Sequence, residues 1–102
     1  MSVLMTLRVT GDPTAIEKLG ADNGALFEGV IADASSRGLI SHHFYGSETE
    51  VLVVDEWPDE ASFQAFFESS GPQIEQMMSA AGVTAQPAVE FWRPLEVGDE
   101  VG

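Results

Sequence analysis

Residues 51–67, VLVVDEWPDEASFQAFF, decide the fold of this chain. The first part is a run of β-branched and apolar residues, which predicts a strand that ends at Trp57-Pro58. Asp59 can then cap a helix whose first turn carries a further acid, Glu60. Three aromatic residues follow at helical spacing, Phe63, Phe66 and Phe67. The stretch therefore predicts a strand, a tight corner and an amphipathic helix.

The sequence on either side predicts the remaining elements. Alternating or continuous apolar residues predict four strands in all, at residues 3–9, 39–45, 51–57 and 87–93. A turn at 46–49 indicates that the second and third strands form a hairpin. Helical spacing predicts a short helix at 14–19, a break at 20–23, and a longer helix to about Arg37. Gly71-Pro72 predicts an interruption in the helix after Asp59.

The order β-α-β-β-α-β is the pattern of the ferredoxin-like α+β fold, an antiparallel four-stranded sheet with its helices on one face. The strands nevertheless carry large apolar residues on both faces, as Val53 and Val54 or Phe91 and Trp92 illustrate. A sheet with two apolar faces needs a second cover, and another copy of the same sheet is the simplest one. We expect a homodimer built from one domain, residues 1–94, followed by a polar C-terminal tail, residues 95–102.

Composition excludes several classes of function. The net charge is -13, from 17 acidic against 4 basic residues, so the surface repels nucleic acid and anionic lipid. The absence of cysteine excludes disulfides and thiolate metal sites. No apolar run approaches the ~20 residues that span a membrane, and the N-terminus lacks a basic leader. The simplest expectation is a cytoplasmic protein without nucleic-acid or membrane partners.

The stretch 51–67, the helical continuation 72–82 and a last strand ending in Phe91-Trp92-Arg93 resemble the antibiotic biosynthesis monooxygenase (ABM) domain of the dimeric α/β-barrel superfamily. The similarity spans nearly the whole chain, about residues 2–93. It implies two sheets that face each other in a dimer, with a pocket between each sheet and its own helices. Members of the superfamily include quinone-forming monooxygenases that need no cofactor, haem-degrading enzymes and proteins without assigned function.

The same resemblance speaks against a haem site. Haem-degrading relatives use an Asn on the first strand, a Trp on the second helix and a His further along that helix. This chain has Thr6 and Arg8 on the first strand, Phe66 at the Trp position, and Gln76 or Met77 near the His position. We therefore expect no cofactor. No metal-spaced cluster, phosphate-binding glycine loop or Ser-His-Asp set is present either.

His42 and His43 are the only histidines, and they are candidates for a general base. Neighbouring residues on a strand point to opposite faces, so only one of the two can line a pocket, and they cannot share one metal ion. Histidine side chains titrate near neutral pH, which suits proton transfer. The alternative is that both are ordinary strand histidines at the surface or at a dimer edge.

Charged strand residues supply a second candidate group. Arg8 could orient an anionic ligand, or it could form a structural ion pair with Asp55, Glu56 or Glu90. Asp55 and Glu56 are adjacent, so only one carboxylate can face inward, where it would act as a base or as the partner of an arginine.

Aromatic and thioether side chains are candidates for lining a cavity that binds a small apolar or aromatic ligand: Trp57, Phe63, Phe66, Met77 and Tyr45. The alternative is a plain core, which such stripes form more often. Two functions follow. One is an ABM-like, metal-free monooxygenase for a small aromatic or polyketide-like substrate, in which His42 or His43 takes a proton and Arg8 stabilises the anion. The other is a non-catalytic ligand-binding or dimerisation module of the same fold.

Overall fold

Four strands and three helices make up the chain in this computed structural model, which describes residues 1–102. In chain order they are β1 Val3–Thr10, α1 Pro13–Asp22, α2 Gly24–Ser36, β2 Ser41–Gly46, β3 Glu50–Trp57, α3 Glu60–Ala80 and β4 Ala88–Trp92. Asp12 and Asp59 cap α1 and α3 by accepting hydrogen bonds from backbone N–H groups of the first turn. None of the helices combines the length and apolar composition needed to cross a membrane.

The strands form one antiparallel sheet in the order β2-β3-β1-β4. This order and the element sequence confirm the predicted ferredoxin-like α+β fold. The pairing divides the side chains between two faces. Met5, opposite Asp55, lies on the inner face that the helices cover, whereas Arg8, opposite Leu52, lies on the outer face. This division determines which side chains can meet beneath the helices.

The core lies between the inner sheet face and the helices. Thirteen buried hydrophobic residues form it, and Trp57, Met5 and Val51 are its largest fully buried side chains. Strand β3 shows the alternation most clearly, because every second residue from Val51 to Trp57 is buried. The helices α2 and α3 pack against each other above this face, and α3 also contacts β3.

The predicted interruption of the last helix is wrong, because α3 continues through Gly71-Pro72 to Ala80. A proline inside a helix costs roughly 3 kcal/mol. Here Phe63 and Phe66 before the proline and Met77 after it are buried in the same core. We attribute the continuous helix to this packing on both sides, which outweighs the local cost.

Two other boundaries also differ from the sequence prediction. Helix α1 reaches Asp22, so the expected four-residue break reduces to Asn23, whose backbone N–H donates to the carbonyl of Leu19 at 2.8 Å. The second strand begins at Ser41 rather than at residue 39. After Trp92 the chain contains no helix or strand.

Candidate functional site

A cavity of about 60 Å³ lies between the inner face of the sheet and helices α2 and α3. Of its 15 lining residues 13 are hydrophobic, and the two others are His42 and Asp55. The hydrophobic ones come from both helices, the three strands β1 to β3 and the segment before β2: Met5, Phe27, Val30, Ile31, Ala34, Leu39, Phe44, Val53, Phe63, Phe66, Ile74, Met77 and Met78. The cavity is therefore apolar except at one pair of side chains.

Strand register creates this pair. The hairpin turn places His42 directly opposite Asp55, on the inner face of β2 and β3. The His42 Nδ1 atom lies 2.7 Å from Asp55 Oδ1. Two residues along the same strand face, Trp57 donates its Nε1–H to Asp55 Oδ2 at 3.2 Å. The structure thus contains a chain of three side chains, Trp57–Asp55–His42, whose middle member is a carboxylate exposed by only 4%.

Hydrogen-bond chemistry determines which of these three side chains donates and which accepts. If Asp55 is ionised it can only accept hydrogen bonds, and the His42 nitrogen that faces it then carries a proton. The ring has no hydrogen bond at Nε2, and the protein has no buried side-chain nitrogen or oxygen that lacks a partner. The Nε2 atom is consequently accessible from outside. Nε2 is therefore free to accept a hydrogen bond from a ligand that reaches it.

Aromatic rings hold these polar groups in place. The Phe44 ring meets the His42 ring edge-on, with centroids 5.0 Å apart, and Phe27 packs in the same way against Phe44 at 5.9 Å. At the Trp57 end, the ring centroids of Phe63 and Phe66 lie 5.8 and 5.4 Å from that of Trp57. Both ends of the polar chain are thus braced by aromatic contacts.

A hydrogen bond between α2 and α3 ties the two helices of the cavity together. Ser70, which is buried, donates its hydroxyl to Asp33 Oδ2 at 2.7 Å, and Arg37 Nε reaches Asp33 Oδ1 at 3.1 Å. The hydrogen bond from Ser70, with the nearby Arg37 guanidinium, lowers the pKa of Asp33 below its ordinary 3.8. This contact has a structural role, since neither Asp33 nor Ser70 lines the cavity.

The structure brings together only some of the residues that the sequence singled out. His42, Phe63, Phe66 and Met77 line the cavity, and Trp57 lies outside its lining, where it holds Asp55. The other three, Arg8, His43 and Tyr45, lie on the outer face; the His43 and Tyr45 rings are neighbours there, with centroids 6.2 Å apart. No group of three or more His, Cys, Asp or Glu side chains is arranged to hold a metal ion.

The expected ion pair of Arg8 with Asp55, Glu56 or Glu90 does not form. Arg8 Nε instead lies 3.6 Å from Glu50 Oε2, and both side chains are substantially exposed, by 60% and 43%. The reason is register, because Asp55 is on the opposite sheet face and pairs with His42. Arg8 consequently lies on the face opposite the cavity and is not part of its lining.

Sequence reasoning missed the partnership of Asp55 with His42, although the signal was present. The turn in the hairpin closes with a hydrogen bond from the Ser47 N–H to the Glu50 carbonyl at 3.0 Å. The Ser47 hydroxyl also accepts from the Glu50 N–H at 2.9 Å. Counting outward in antiparallel register from these two residues puts position 42 opposite position 55. Choosing that turn centre from the sequence would have identified the pair.

Solved structures share this fold, whereas no protein-family model and no curated protein matches the sequence. SnoaB, a cofactor-independent oxygenase from Streptomyces nogalater, in a mutant form, aligns with a TM-score of 0.63 and 15% identity over 97% of this chain and 98% of that one. The monooxygenase from the gene ActVA-Orf6 of Streptomyces coelicolor, in complex with Nanaomycin D, gives 0.62 and 18% over 94% and 88%. A dimeric ferredoxin-like protein from an uncultured marine organism gives 0.65 and 16% over 94% and 98%.

Identities of this size establish architecture alone. They agree with the strand order and helix placement described above, and they confirm the predicted resemblance at the level of the fold. The chain has the ferredoxin-like, ABM-like fold.

Proposed function

We propose that this chain oxidises a small phenolic substrate with dioxygen, without a metal or an organic cofactor, and that His42 is the base. One observation carries the proposal: an imidazole held by a buried carboxylate supplies, with that carboxylate, the only polar side chains of an otherwise apolar cavity. Two proteins with this fold are described as a cofactor-independent oxygenase and a monooxygenase, which supports the choice of reaction.

The proposed reaction balances as follows. His42 Nε2 takes the phenol O–H proton, and the electron-rich phenolate passes one electron to dioxygen. The resulting superoxide joins the ring radical at the para carbon, which forms a C–O bond. His42 returns its proton to the peroxide, the O–O bond breaks, and the para C–H proton leaves with the departing hydroxide as water. The sum is one phenol plus one dioxygen giving one quinone plus one water.

The size of the cavity favours a small substrate. A buried water needs at least about 10–15 Å³ and a benzene ring fits a cavity of about 150 Å³, so a volume of about 60 Å³ holds only a few waters, and the lining must move to admit one ring. Phe63 and Phe66 offer ring faces and edges for stacking. Met77 and Met78 have flexible thioether side chains, which can rearrange to admit a second ring.

Oxygen uptake by the purified protein tests this proposal. With 1-naphthol as substrate and a chelator present, we expect one dioxygen consumed for each quinone formed. Removing the base with His42→Gln should lower the rate about 10²-fold or more, because general-base catalysis contributes about 10²–10⁴-fold. His43→Gln, one position away on the outer face, is the matched control and should leave the rate unchanged. Equal rates for the native protein and the His42 variant would refute the assignment of His42.

The alternative function is a non-catalytic module that binds the same kind of ligand. It is favoured by one feature: no arginine or lysine lines the cavity, so a phenolate would have only the protonated His42 as its counter-ion. Binding of 1-naphthol without oxygen uptake, under the conditions just given, would support this alternative against the oxygenase.

We also propose that the outer sheet face pairs with a second copy of the chain. Three large side chains are exposed there, Leu4, Tyr45 and Trp92, and Leu52, partly buried, lies opposite Tyr45 on the same face. A protein with the same fold is described as dimeric. Light scattering should give about twice 10.9 kDa, and Leu52→Arg should halve that mass. Val101→Arg, in the exposed tail, is the control. A native monomer would refute the dimer.

The cytoplasmic location expected from the sequence remains a prediction.

A further inference from the structure

We propose that Asp55 and Trp57 are positioning residues that fix the tautomer of His42, so that the cavity selects neutral ligands that donate a hydrogen bond. The inference deepens the proposed function, because it names the chemistry that a substrate of that site must present. It also makes statements about the free protein, which can be tested without any substrate.

The series of hydrogen bonds that orients His42 starts at Trp57, whose indole N–H can only donate. Trp57 is fully buried, so its N–H has a fixed direction and no competing water, and it donates to one oxygen of Asp55 at 3.2 Å. That contact turns the other carboxylate oxygen toward His42, 2.7 Å away. A carboxylate can only accept there, so the proton of the neutral imidazole sits on Nδ1, and Nε2 keeps its lone pair.

The lone pair determines which ligand binds. A neutral phenol can donate its O–H to Nε2 while its ring contacts the apolar lining. A carboxylate ligand would place a second negative charge near Asp55, in a cavity whose lining contains no cationic side chain other than a protonated histidine. An ether of the same shape lacks the donor and leaves Nε2 without a partner. The site should therefore bind a phenol most tightly, and an ether or a carboxylate of the same shape much more weakly.

Asp55→Asn gives a specific expectation, because an amide has one acceptor and one donor end. The Trp57 N–H needs the acceptor, so the amide oxygen turns to Trp57 and the amide NH₂ turns to His42. Nδ1 must then accept, and the ring proton moves to Nε2. In the double variant with Trp57→Phe the amide is free to turn round, so the Nδ1–H form should partly return. This reversal separates a wiring role of Trp57 from a merely structural one.

Nitrogen-15 NMR of the histidine-labelled protein above neutral pH tests the wiring directly, since long-range proton–nitrogen correlations distinguish the two tautomers. We expect Nδ1–H for His42 in the native protein, Nε2–H in Asp55→Asn, and a mixture in the double variant. His43, on the outer face, is an internal reference that should not change. A native Nε2–H tautomer, or an imidazolium that persists to pH 9, would overturn the inference even if no variant folds.

Ligand selection and turnover complete the test. We expect 1-naphthol to bind at least about tenfold more tightly than 1-methoxynaphthalene, whose binding leaves an acceptor unpaired, and 1-naphthoate not to bind measurably. Equal affinities for the three would contradict the selection. Asp55→Asn should lower kcat about 10²–10⁴-fold with a smaller change in KM. The expected tautomers and ligand ranking without oxygen uptake would refute the oxygenase proposal but support the positioning roles of Asp55 and Trp57. Oxygen uptake without the expected tautomers and ligand ranking would refute those positioning roles alone.

Discussion

Replacing Trp57 by phenylalanine should destabilise the fold by about 2.5–4 kcal/mol. Trp57 is fully buried, and its N–H donates to the buried carboxylate of Asp55. Hydrogen bonds to charged groups contribute about 1.5–3 kcal/mol, because the charged partner stays desolvated when the donor is lost. The smaller ring also buries roughly 40 Å² less apolar area, worth about 1 kcal/mol at 25 cal/mol per Å².

Urea denaturation followed by circular dichroism measures this free energy of unfolding. The two contributions separate in a double-mutant cycle with Asp55→Ala. Without the carboxylate, Trp57→Phe should cost no more than the area term, because the buried indole N–H then lacks its acceptor, so the coupling energy should be at least about 1.5 kcal/mol. Val51→Ala, on the same strand face and fully buried, serves as the control, and its cost should be equal in both backgrounds. A coupling energy below about 0.5 kcal/mol would mean that the indole–carboxylate hydrogen bond contributes little to the free energy of unfolding, which would contradict the prediction.

Three further predictions concern the rest of the molecule. The hydrogen bond from Ser70 lowers the pKa of Asp33. The stability that the ionised Asp33 carboxylate contributes is therefore present above pH 3.8 and is lost as the pH falls through the lowered pKa. Ser70→Ala should accordingly narrow the difference between the melting temperatures at pH 7 and pH 2.5, and an unchanged difference would contradict this. Arg8→Ala should change the free energy of unfolding by at most about 1 kcal/mol, since its ion pair is exposed, and a loss near 3 kcal/mol would indicate a buried pair. Gly38→Ala should cost about 1–2 kcal/mol in urea denaturation, because Gly38 has φ = 101° and a Cβ there would lie 3.0 Å from Pro58 Cγ; a neutral result would contradict the backbone assignment.

The fold could be predicted because local patterns and global topology agree in this sequence. In the stretch 51–67, the alternation of β3, the Asp59 cap and the phenylalanine stripe all specify the same strand, corner and helix that the structure contains. The strongest local signal that failed, Gly71-Pro72, was overridden by tertiary packing that no local pattern reports.

The site was only half predictable, because face and register are needed as well as residue type. Phe63, Phe66 and Met77 were recognisable from helical spacing, and the alternation rule correctly required that only one histidine face inward. Which one it is depends on the hairpin register, and a shift by one residue would exchange His42 for His43. Arg8 lies on the outer face of the sheet, opposite the cavity, because its face follows from strand pairing and not from its charge.

On our proposal, His42 Nε2 is the atom to which a ligand of this cavity donates its hydrogen bond. Two histidines, adjacent in sequence and on opposite faces of the sheet, make it directly measurable. In a titration with 1-naphthol followed through the imidazole signals by NMR, we expect the His42 signals to shift and saturate while those of His43 stay in place. Equal shifts of both histidines, or shifts of His43 alone, would contradict the claim and move the binding site to the outer face of the sheet.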